Sequence, residues 1–410
     1  MKVLVLSQHF WPESFRINDV VESLRSAGCE VCVLTGQPNY PEGAVFKGFR
    51  AAALTTERHS TGYLIHRVPL IPRGAGGAGR LALNYLSFLV SACMLGPWIL
   101  RGQRFDVVFV YGTSPILQAI AGIVLKRLKK CVLVTWVQDL WPQSLEATGF
   151  VRNRRLLAAV DRVVRWIYRR SDLVLVPSKA FLAPVAAMAG RTPVEYHPNP
   201  GERRFEDRDG PDEPALHLEP GFNVVFAGNL GTVQALETVL AAAELLKDQR
   251  EVRFVLIGSG SRSEWLQQQV RARTLENLRL PGRFPPQAMP NILAQASVLL
   301  VSLVRSPIMS QTVPSKLQAY LAAGRPLIAA LDGEGARIVE EAGAGLTCPA
   351  EDSTALAGTV LRLKSLSAEE LARMGASGRN YYETHFNAAT LADRLTRRFA
   401  TLVQSCGSRC

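Results

Sequence analysis

The chain has 410 residues, of which 48% are apolar, and a net charge of +12. That length exceeds one ordinary hydrophobic core and predicts two domains of about 200 residues each. Seven cysteines are scattered and odd in number, and Cys29 and Cys32 have no second pair at metal-ligand spacing. The composition therefore argues against a disulfide-stabilised secreted protein and indicates reduced thiols in a cytoplasmic one.

The positive charge is concentrated in one half of the chain. Residues 1–200 hold 24 Lys and Arg against 12 Asp and Glu, whereas residues 201–410 hold 23 of each. The first half therefore carries the whole excess. It is expected to face an anionic partner such as a membrane surface, a lipid phosphate or a nucleic acid.

Short apolar runs predict the strands of the first half. Met1–Gln8 is too short an apolar run for a secretory signal and is better explained as a first buried strand. Helical segments separate most of the runs, which is the pattern of a doubly wound parallel sheet. The predicted strands are Val3–Ser7, Val31–Thr35, Leu64–Val68, Val107–Tyr111, Val132–Val137, Leu173–Val176 and Val194–Tyr196.

The most apolar window is Leu81–Leu100, which has no charged residue in 20 positions and so reaches the length of a membrane span. Polar and helix-breaking residues interrupt it, among them Asn84 and Pro97. Arg80 and Arg101 flank it on both sides and give no orientation. These features favour a buried or interface-lying helix over a true span.

Two basic clusters follow this window. Lys126–Lys130 ends one predicted helix with four basic residues, and seven arginines between Arg152 and Arg170 alternate with apolar residues in the next. A basic amphipathic helix of this kind is compatible with docking on a membrane surface. It is equally compatible with a solvated helix face.

The second half repeats the alternation of strands and helices. Pro198–Gly221 is rich in Pro, Gly, Asp and Glu without periodicity, and predicts an interdomain linker. The expected domains are residues 1–200 and 222–385, joined by a linker at 201–221, with a C-terminal helix at 386–410 that could pack back on the first domain. The predicted strands are Val224–Ala227, Phe254–Ile257, Val298–Leu303, Leu327–Leu331 and Leu346–Cys348, and the helices are Gln234–Lys247, Glu264–Arg273, Ala288–Ala294, Ser315–Ala323 and Ala336–Glu341.

Ligand pockets in such sheets form outside the carboxyl ends of the strands. Ser315 and Lys316 follow a buried strand and a polar loop, at the predicted N-terminus of a helix. Free backbone N–H groups, the helix dipole, a hydroxyl and an ammonium would converge there and favour a diphosphate. The alternative is that Ser315 merely caps the helix and Lys316 is a solvated side chain.

Three glycine-rich turns fall at the same edge of the second sheet. They are FAGNLG with Gly228, Asn229 and Gly231, LIGSG with Gly258, and DGEG with Glu334. The glycines allow close approach of the backbone to an anion, and Glu334 can accept hydrogen bonds from ligand hydroxyls. Turn geometry alone would explain each of them, but their common placement predicts one binding site.

The order of motifs in the second half resembles the nucleotide-sugar domain of retaining family-4 glycosyltransferases of the GT-B fold. The motifs are FAGNLGTVQALETVLAAAELL, FVLIGSG, LPGRFPPQAMPNILAQASVLLVSL and VPSKLQAYLAAGRPLIA. In the first half, SQHFWPESFRINDVVESL, LTGQPNYPEG and VQDLWPQS resemble the branch that builds bacterial exopolysaccharide and O-antigen units, including colanic-acid and fucosamine transferases. The resemblance implies two Rossmann-like α/β domains that face a central cleft.

The resemblance also implies roles for individual residues of the second half. Gly228, Asn229 and Gly231 would approach the donor diphosphate, with Lys316 supplying charge. Arg283 would lie beside the nucleobase, although a surface arginine after a turn is an equally good explanation. Glu334 would lie near the donor sugar or the ribose.

In the first half the resemblance points to Asp139 of QDLWP, at the end of a predicted strand. Asp139 is the candidate to contact the acceptor hydroxyl or the positive charge that develops on the sugar. The competing explanation is an Asp that only caps a turn.

One departure from the family pattern affects the catalytic assignment. Many members carry two glutamates separated by seven residues, and Gln311 and Ala319 occupy these positions here. The usual assignment of the two carboxylates cannot be transferred, so Asp139 and Glu334 are the catalytic candidates.

The implied activity is retaining transfer of a hexosyl or N-acetylhexosaminyl group from a nucleotide-sugar, with a UDP-sugar favoured. The acceptor would be a polyprenyl-diphosphate-linked saccharide at the anionic inner face of the plasma membrane, where the protein would be peripheral and cytoplasmic. No metal, other cofactor or nucleic acid is expected.

Two other classes stay open. A GT-B-type sugar-nucleotide epimerase would leave the basic first half unexplained, and a non-catalytic nucleotide-sugar-binding partner protein would fit the missing carboxylates. A dinucleotide oxidoreductase is less favoured because no G-x-G-x-x-G follows either first strand.

Overall fold

The computed structural model describes residues 1–74, 76–114, 116–147, 153–202 and 215–407. The chain divides into two compact units, one formed by Met1–Asn199 with Ala388–Cys410 and the other by Pro200–Asn387. Most of the predicted linker lies outside the described residues, as does Arg152 of the second basic cluster.

The first unit contains an eight-stranded sheet. Its strands are β1 (Lys2–Leu6), β2 (Glu30–Gly36), β3 (Thr55–Arg58), β4 (Leu64–Val68), β5 (Val107–Gly112), β6 (Val132–Val137), β7 (Leu173–Val176) and β8 (Val194–Tyr196), in the order β3-β4-β2-β1-β5-β6-β7-β8. All neighbouring strands are parallel except β3 and β4. The seven predicted strands are confirmed to within one residue, and the antiparallel edge strand β3 was missed because its sequence, TTER, is polar.

Helices cover both faces of this sheet. They are α1 (Arg16–Ser26), α2 (Ala78–Ile99), α3 (Ala119–Lys129), α4 (Gln143–Ala147), α5 (Arg154–Arg170) and α6 (Leu182–Ala189). Alternate residues of β1 point to opposite sides, so Leu4 and Leu6 join the core beneath α2, α3 and α5, whereas Val3 and Val5 join the core beneath α1. The doubly wound arrangement that was predicted is therefore present.

The second unit contains a six-stranded, fully parallel sheet in the order β11-β10-β9-β12-β13-β14. The strands are β9 (Phe222–Ala227), β10 (Val252–Ile257), β11 (Leu278–Gly282), β12 (Val298–Ser302), β13 (Leu327–Ala330) and β14 (Gly345–Cys348). The five predicted strands are confirmed to within two residues, while the edge strand β11 was not predicted. Strand order reverses between β9 and β12, and this switch point is where a parallel sheet opens a crevice for a ligand.

The helices of the second unit include the five that were predicted, each within two residues of its expected bounds. Within the described residues of this unit, the α-helices are α7 (Leu236–Leu245), α8 (Ser263–Ala272), α9 (Met289–Leu293), α10 (Pro307–Gln311), α11 (Ser315–Ala323), α12 (Glu334–Glu341), α13 (Ser353–Lys364) and α14 (Ala368–His385).

The last helix, α15 (Ala388–Gly407), is part of the first unit. Leu395, Phe399 and Leu402 enter the same core as α1. Arg398 donates from Nε and Nη2 to both carboxylate oxygens of Glu195 on β8, at 2.6–3.0 Å. Apolar burial and this bidentate ion pair together hold α15 against the first sheet.

Phe399 tests this attachment. Its side chain is fully buried, and its ring centroid lies 5.4 Å from that of Phe109 on β5. We expect Phe399→Ala to lower the free energy of unfolding by about 3–5 kcal/mol in urea titrations, because it leaves a cavity. Arg397→Ala, at an exposed position of the same helix, should change it by less than about 0.5 kcal/mol. Equal unfolding midpoints for the two variants would contradict a structural role for α15.

Candidate functional site

The segment that leads from β12 to α11 places two polar residues at a helix N-terminus. Pro314 is the N-cap residue of α11, and Ser315 and Lys316 are its first helical residues, as predicted. The first N–H groups of a helix have no intrahelical acceptor and carry the positive end of the dipole. Because Ser315 is itself helical and exposed, it is not the capping residue that the alternative explanation required.

The side chain of Lys316 is folded into the domain. Its Nζ donates to Oε1 of Gln234 at 2.5 Å and lies 3.9 Å from the ring centroid of Phe226. Burial lowers the pKa of Lys316 from its ordinary 10.5 to about 7 because desolvation disfavours the charged form. This cation is therefore held by neutral groups, and an anion bound beside it would favour its protonation.

Two glycines make room for this lysine. A Cβ on Gly228 would lie 2.4 Å from Cε of Lys316, and Gly228 has a φ of 143°, which disfavours other residues. A Cβ on Gly258 would lie 1.9 Å from the carbonyl oxygen of Gly228. The turns after β9 and β10 therefore pack backbone against backbone directly beside Lys316.

The hydroxyl of Tyr320 fixes α11 against β9. It accepts a hydrogen bond from the backbone N–H of Ala227 at 2.7 Å and donates one to the carbonyl oxygen of the same residue at 3.1 Å. Lys316 lies four residues before Tyr320 and so occupies the same face of α11. The Tyr320 contact thus also positions the ammonium at the end of β9.

These elements surround a cavity of about 630 Å³, which is within the range of small-molecule sites. Its polar part includes Asn229, Ser315 and Lys316, and its apolar part includes Phe284, Met289 and Leu293. The full lining is Glu202, Ala227, Gly228, Asn229, Gln234, Ile257, Gly258, Ser259, Arg283, Phe284, Pro286, Met289, Leu293, Ser315, Lys316, Ala319 and Tyr320.

Six of the predicted binding residues line this cavity: Gly228, Asn229, Gly258, Arg283, Ser315 and Lys316. Arg283 is exposed at the rim. Gly231 and Glu334 are not among the lining residues.

Glu334 occupies a different environment nearby. It begins α12, is buried, and accepts hydrogen bonds from Nε and Nη2 of Arg337 at 3.0 and 3.1 Å. A Cβ on Gly335, the next residue, would lie 3.3 Å from Cδ of Pro314, which places the start of α12 against the N-cap of α11. The fork of Arg337 fixes both carboxylate oxygens, so Glu334 has a defined orientation.

Asp139 lies in the first unit, just after β6. Its Oδ2 accepts a hydrogen bond from Oγ of Ser114 at 2.8 Å, and Ser114 Oγ accepts one from Nε1 of Trp141 at 2.9 Å. Asp139 is only partly buried. This chain of hydrogen bonds orients a carboxylate that is accessible at the carboxyl edge of the first sheet.

Sequence reasoning missed several residues of the cavity. Gln234 and Tyr320 lie inside two of the motifs named above, but no sequence pattern marks either residue as part of a binding site. Glu202 comes from the predicted linker, where the absence of periodicity gave no signal. Among the described residues that line the cavity, Glu202 is the one carboxylate, and Ala319 offers a methyl group at a position where the resemblance led us to expect a glutamate.

In the described part of the chain, no group of three or more His, Cys, Asp and Glu side chains could hold a metal ion.

Two family models match the chain, one for each half. Residues 14–200 match the glycosyl transferase 4-like domain, and residues 221–365 match the glycosyl transferases group 1 domain. With the two Rossmann-like parallel sheets, these matches define the class: the chain is a glycosyltransferase of the GT-B fold.

Named relatives lie in the same class. The probable glycosyltransferase WbjE of Pseudomonas aeruginosa is 26% identical over 315 residues, which are 75% of this chain and 76% of that protein. The putative colanic acid biosynthesis glycosyl transferase WcaI of Escherichia coli K12 is 26% identical over 345 residues, which are 79% of this chain and 82% of that protein.

Solved structures share the fold at low sequence identity. Anabaena Alr3699/HepE in complex with UDP gives a TM-score of 0.68 at 14% identity and covers 98% of this chain and 100% of its own. The solved structure described as "Trehalose-6-phosphate from E. coli bound with UDP-2-fluoro glucose" gives a TM-score of 0.71 at 14% identity and covers 97% of this chain and 99% of its own. At these identities the likeness establishes the fold.

The titration of Lys316 can be measured directly. After reductive ¹³C-methylation, we expect the dimethylamine resonance that is missing in Lys316→Met to titrate near pH 7, because burial lowers its pKa to about 7. The pKa of a lysine amine in the unfolded chain is about 10.4. Between about pH 7 and that value the unfolded chain binds more protons at this amine than the folded protein does, so the amine makes the free energy of unfolding rise with pH. Lys316→Met should remove that part of the rise. A midpoint near pH 10 would contradict the buried position of the amine.

Proposed function

We propose that the protein is a retaining glycosyltransferase that moves a hexosyl or N-acetylhexosaminyl group from a UDP-sugar to a polyprenyl-diphosphate-linked saccharide. The observation that carries this proposal is the cavity at the switch point of the second sheet, where Lys316 and the N-terminus of α11 meet two glycine turns. The name of WcaI supports a role in exopolysaccharide synthesis, and UDP in the structurally similar HepE supports the choice of nucleotide.

The donor diphosphate is proposed to lie between the N-terminus of α11 and the turn at Gly228 and Asn229. Its negative charge suits the helix dipole and the ammonium of Lys316, and the glycine permits close approach. When the bond to the sugar breaks, negative charge grows on the departing nucleoside diphosphate. The same groups would stabilise that charge without a metal ion.

The nucleobase is proposed to lie against the apolar part of the cavity. Phe284 and Met289 are half-buried there, and Leu293 is fully buried, so together they form an apolar wall of the kind that suits a flat ring. Arg283 stands exposed beside it and can donate hydrogen bonds to base or phosphate oxygens.

The hydroxyls of the ribose are proposed to bind Glu202. A carboxylate accepts hydrogen bonds from hydroxyls, and Glu202 supplies one in the cavity that Ala319 also lines. Its neighbour Gly201 is fixed, because its N–H donates to the carbonyl oxygen of Phe386 at 2.8 Å and a Cβ at this position would lie only 2.3 Å from Cε2 of Tyr382. Glu334 stays the candidate for the donor sugar.

Asp139 is proposed to act at the acceptor. A carboxylate oriented by Ser114 can accept the proton of an acceptor hydroxyl or stabilise the positive charge of an oxocarbenium-like transition state. The acceptor itself is proposed to reside at the cytoplasmic face of the plasma membrane, which the excess of basic residues in the first 200 positions supports.

The decisive experiment offers UDP-, GDP- and dTDP-sugars with polyprenyl-diphosphate-linked saccharides and records the mass of the extracted lipid. We expect one sugar increment, with UDP-sugars only. Lys316→Met should weaken UDP binding by about tenfold or more, since a hydrogen bond to a charged group contributes about 1.5–3 kcal/mol. Asp139→Asn should bind UDP normally and lose most of the transfer rate.

Each other outcome identifies a different function. UDP-sugar binding without any lipid product, in the presence of acceptors, would indicate a non-catalytic binding protein, which the residues at Gln311 and Ala319 favour. A change in the sugar of the nucleotide itself would indicate an epimerase. Unaltered UDP affinity in Lys316→Met would overturn the donor site.

Glu202 has its own test, which compares UDP with 2′,3′-dideoxy-UDP by calorimetry. In the native protein we expect the dideoxy nucleotide to bind about tenfold or more weakly, because it lacks both hydroxyls that the carboxylate would hold. Glu202→Gln should bring this ratio close to one, while Glu334→Gln should leave it unchanged. A ratio that responds to Glu334→Gln instead would reverse the two assignments.

A further inference from the structure

Helix α2 packs on the first unit along one face, which has a fully buried centre and partly buried borders that include Leu89 and Leu95. The buried residues Asn84, Phe88, Ala92 and Gly96 recur every four positions, and Phe88 and Ala92 are fully buried in the core. A Cβ on Gly96 would lie 3.1 Å from Cδ2 of Leu34, so this face packs closely on the sheet.

The opposite face of α2 is apolar and exposed. Leu83, Leu86, Val90, Met94 and Trp98 expose 52%, 48%, 53%, 71% and 55% of their surface. Their spacing of three and four residues places them on one side of the helix. Only 22% of the most apolar 18-residue window of α2 is buried. We call these five side chains the α2 stripe.

Exposed large apolar side chains are concentrated in the first unit. Of the fourteen large apolar side chains that are exposed in the described part of the chain, nine lie between Ile71 and Trp166. A continuous exposed stripe of this kind is a mark of an interaction surface, whereas scattered apolar side chains need no explanation.

Basic residues frame the stripe at both ends. Arg80 lies in the first turn of α2 and donates to the carbonyl oxygen of Pro72. At the other end, the guanidinium of Arg101 lies 4.8 Å from the ring centroid of Trp98, and Nζ of Lys129 donates to the carbonyl oxygen of Leu100 at 2.5 Å. The basic end of α3 is therefore adjacent to the last turn of α2.

The surrounding sequence carries one sign of charge. From Arg58 to Phe105 it contains no acidic residue and six arginines, of which Arg67 is buried and paired with Glu57, whereas Arg80 and Arg101 lie at the two ends of α2. An apolar face framed by cations matches a layer of anionic headgroups above acyl chains, and an arginine stacked on a tryptophan suits the boundary between them.

The polar contacts of Asn84 decide how α2 can meet a membrane. Its Oδ1 accepts from Nε2 of Gln8 at 2.8 Å, and its Nδ2 donates to the carbonyl oxygen of Ile71 at 2.7 Å. If α2 spanned the bilayer, it would lose these buried hydrogen bonds and the contacts of its packed face with the core. Lying in the interface keeps them and buries only the α2 stripe.

We propose that the α2 stripe docks the protein on an anionic lipid bilayer, with α2 in the plane of the interface and Arg80 and Arg101 among the headgroups. This inference deepens the proposed function, since it names the surface that would bring the enzyme to a lipid-linked acceptor. Docking itself requires no donor site.

The test is flotation of the full chain with vesicles. We expect the native protein to float with phosphatidylglycerol–phosphatidylethanolamine vesicles, less at high salt, and weakly with phosphatidylcholine. Val90→Gln with Met94→Gln should lower the partition coefficient at least tenfold. The matched control, Leu245→Gln with Leu361→Gln, changes two exposed apolar residues of the second unit and should partition normally.

Two readouts keep the outcomes separate. Equal partition of both double variants would overturn the inference. So would a stripe that only pairs two copies of the chain: the native protein would then bind no vesicles, and light scattering would show that Val90→Gln with Met94→Gln has half the native mass. UDP affinity is measured on the same samples. A protein that binds UDP but no vesicles overturns this inference alone, whereas one that binds vesicles but neither UDP nor other nucleotides overturns the proposed function alone.

Discussion

The cavity of the second unit depends on the contact between the side chain of Lys316 and the backbone at Gly228. The ammonium reaches Gln234 and the face of Phe226 only because no Cβ stands in its path at position 228. Gly258 also has to be glycine, because its backbone packs on the carbonyl oxygen of Gly228. A side chain at position 228 would displace the lysine, and one at position 258 would displace the turn at Gly228, so the two strand exits and the N-terminus of α11 act as a single unit.

Most of the fold could be predicted because buried parallel strands have a simple sequence pattern. Val107–Gly112 and Val132–Val137 are buried at every position, and both are almost entirely apolar, with Thr135 the polar exception. The strands that were missed are β3 and β11, both at a sheet edge. Thr55–Arg58 is largely exposed and Leu278–Gly282 has one fully buried residue, so pairing with a neighbour, which a single sequence does not show, decides their structure.

The candidate site was predictable where chemistry and local structure coincide. Lys316 at a helix start and Gly228 after a strand satisfy both conditions, and both line the cavity. Glu202 satisfies neither, because it lies in a non-periodic segment and reaches the cavity only through tertiary packing of Gly201 on α14. Glu334 shows the reverse situation, since its turn is conspicuous in sequence while its carboxylate is engaged by Arg337.

The alanine at position 319 explains the electrostatic state of Lys316. Positions 316 and 319 are three residues apart on α11 and line the same cavity, so a glutamate at 319 would be close enough to form an ion pair. Such a pair would favour the charged lysine and oppose the effect of burial on its pKa. With alanine there, the partners that the structure gives Lys316 are an amide and an aromatic ring, neither of which is negative. Under the proposed function, the compensating charge would come from the donor diphosphate. Its negative charge would raise the pKa of the amine, so that Lys316 would take up a proton from solvent when the donor binds.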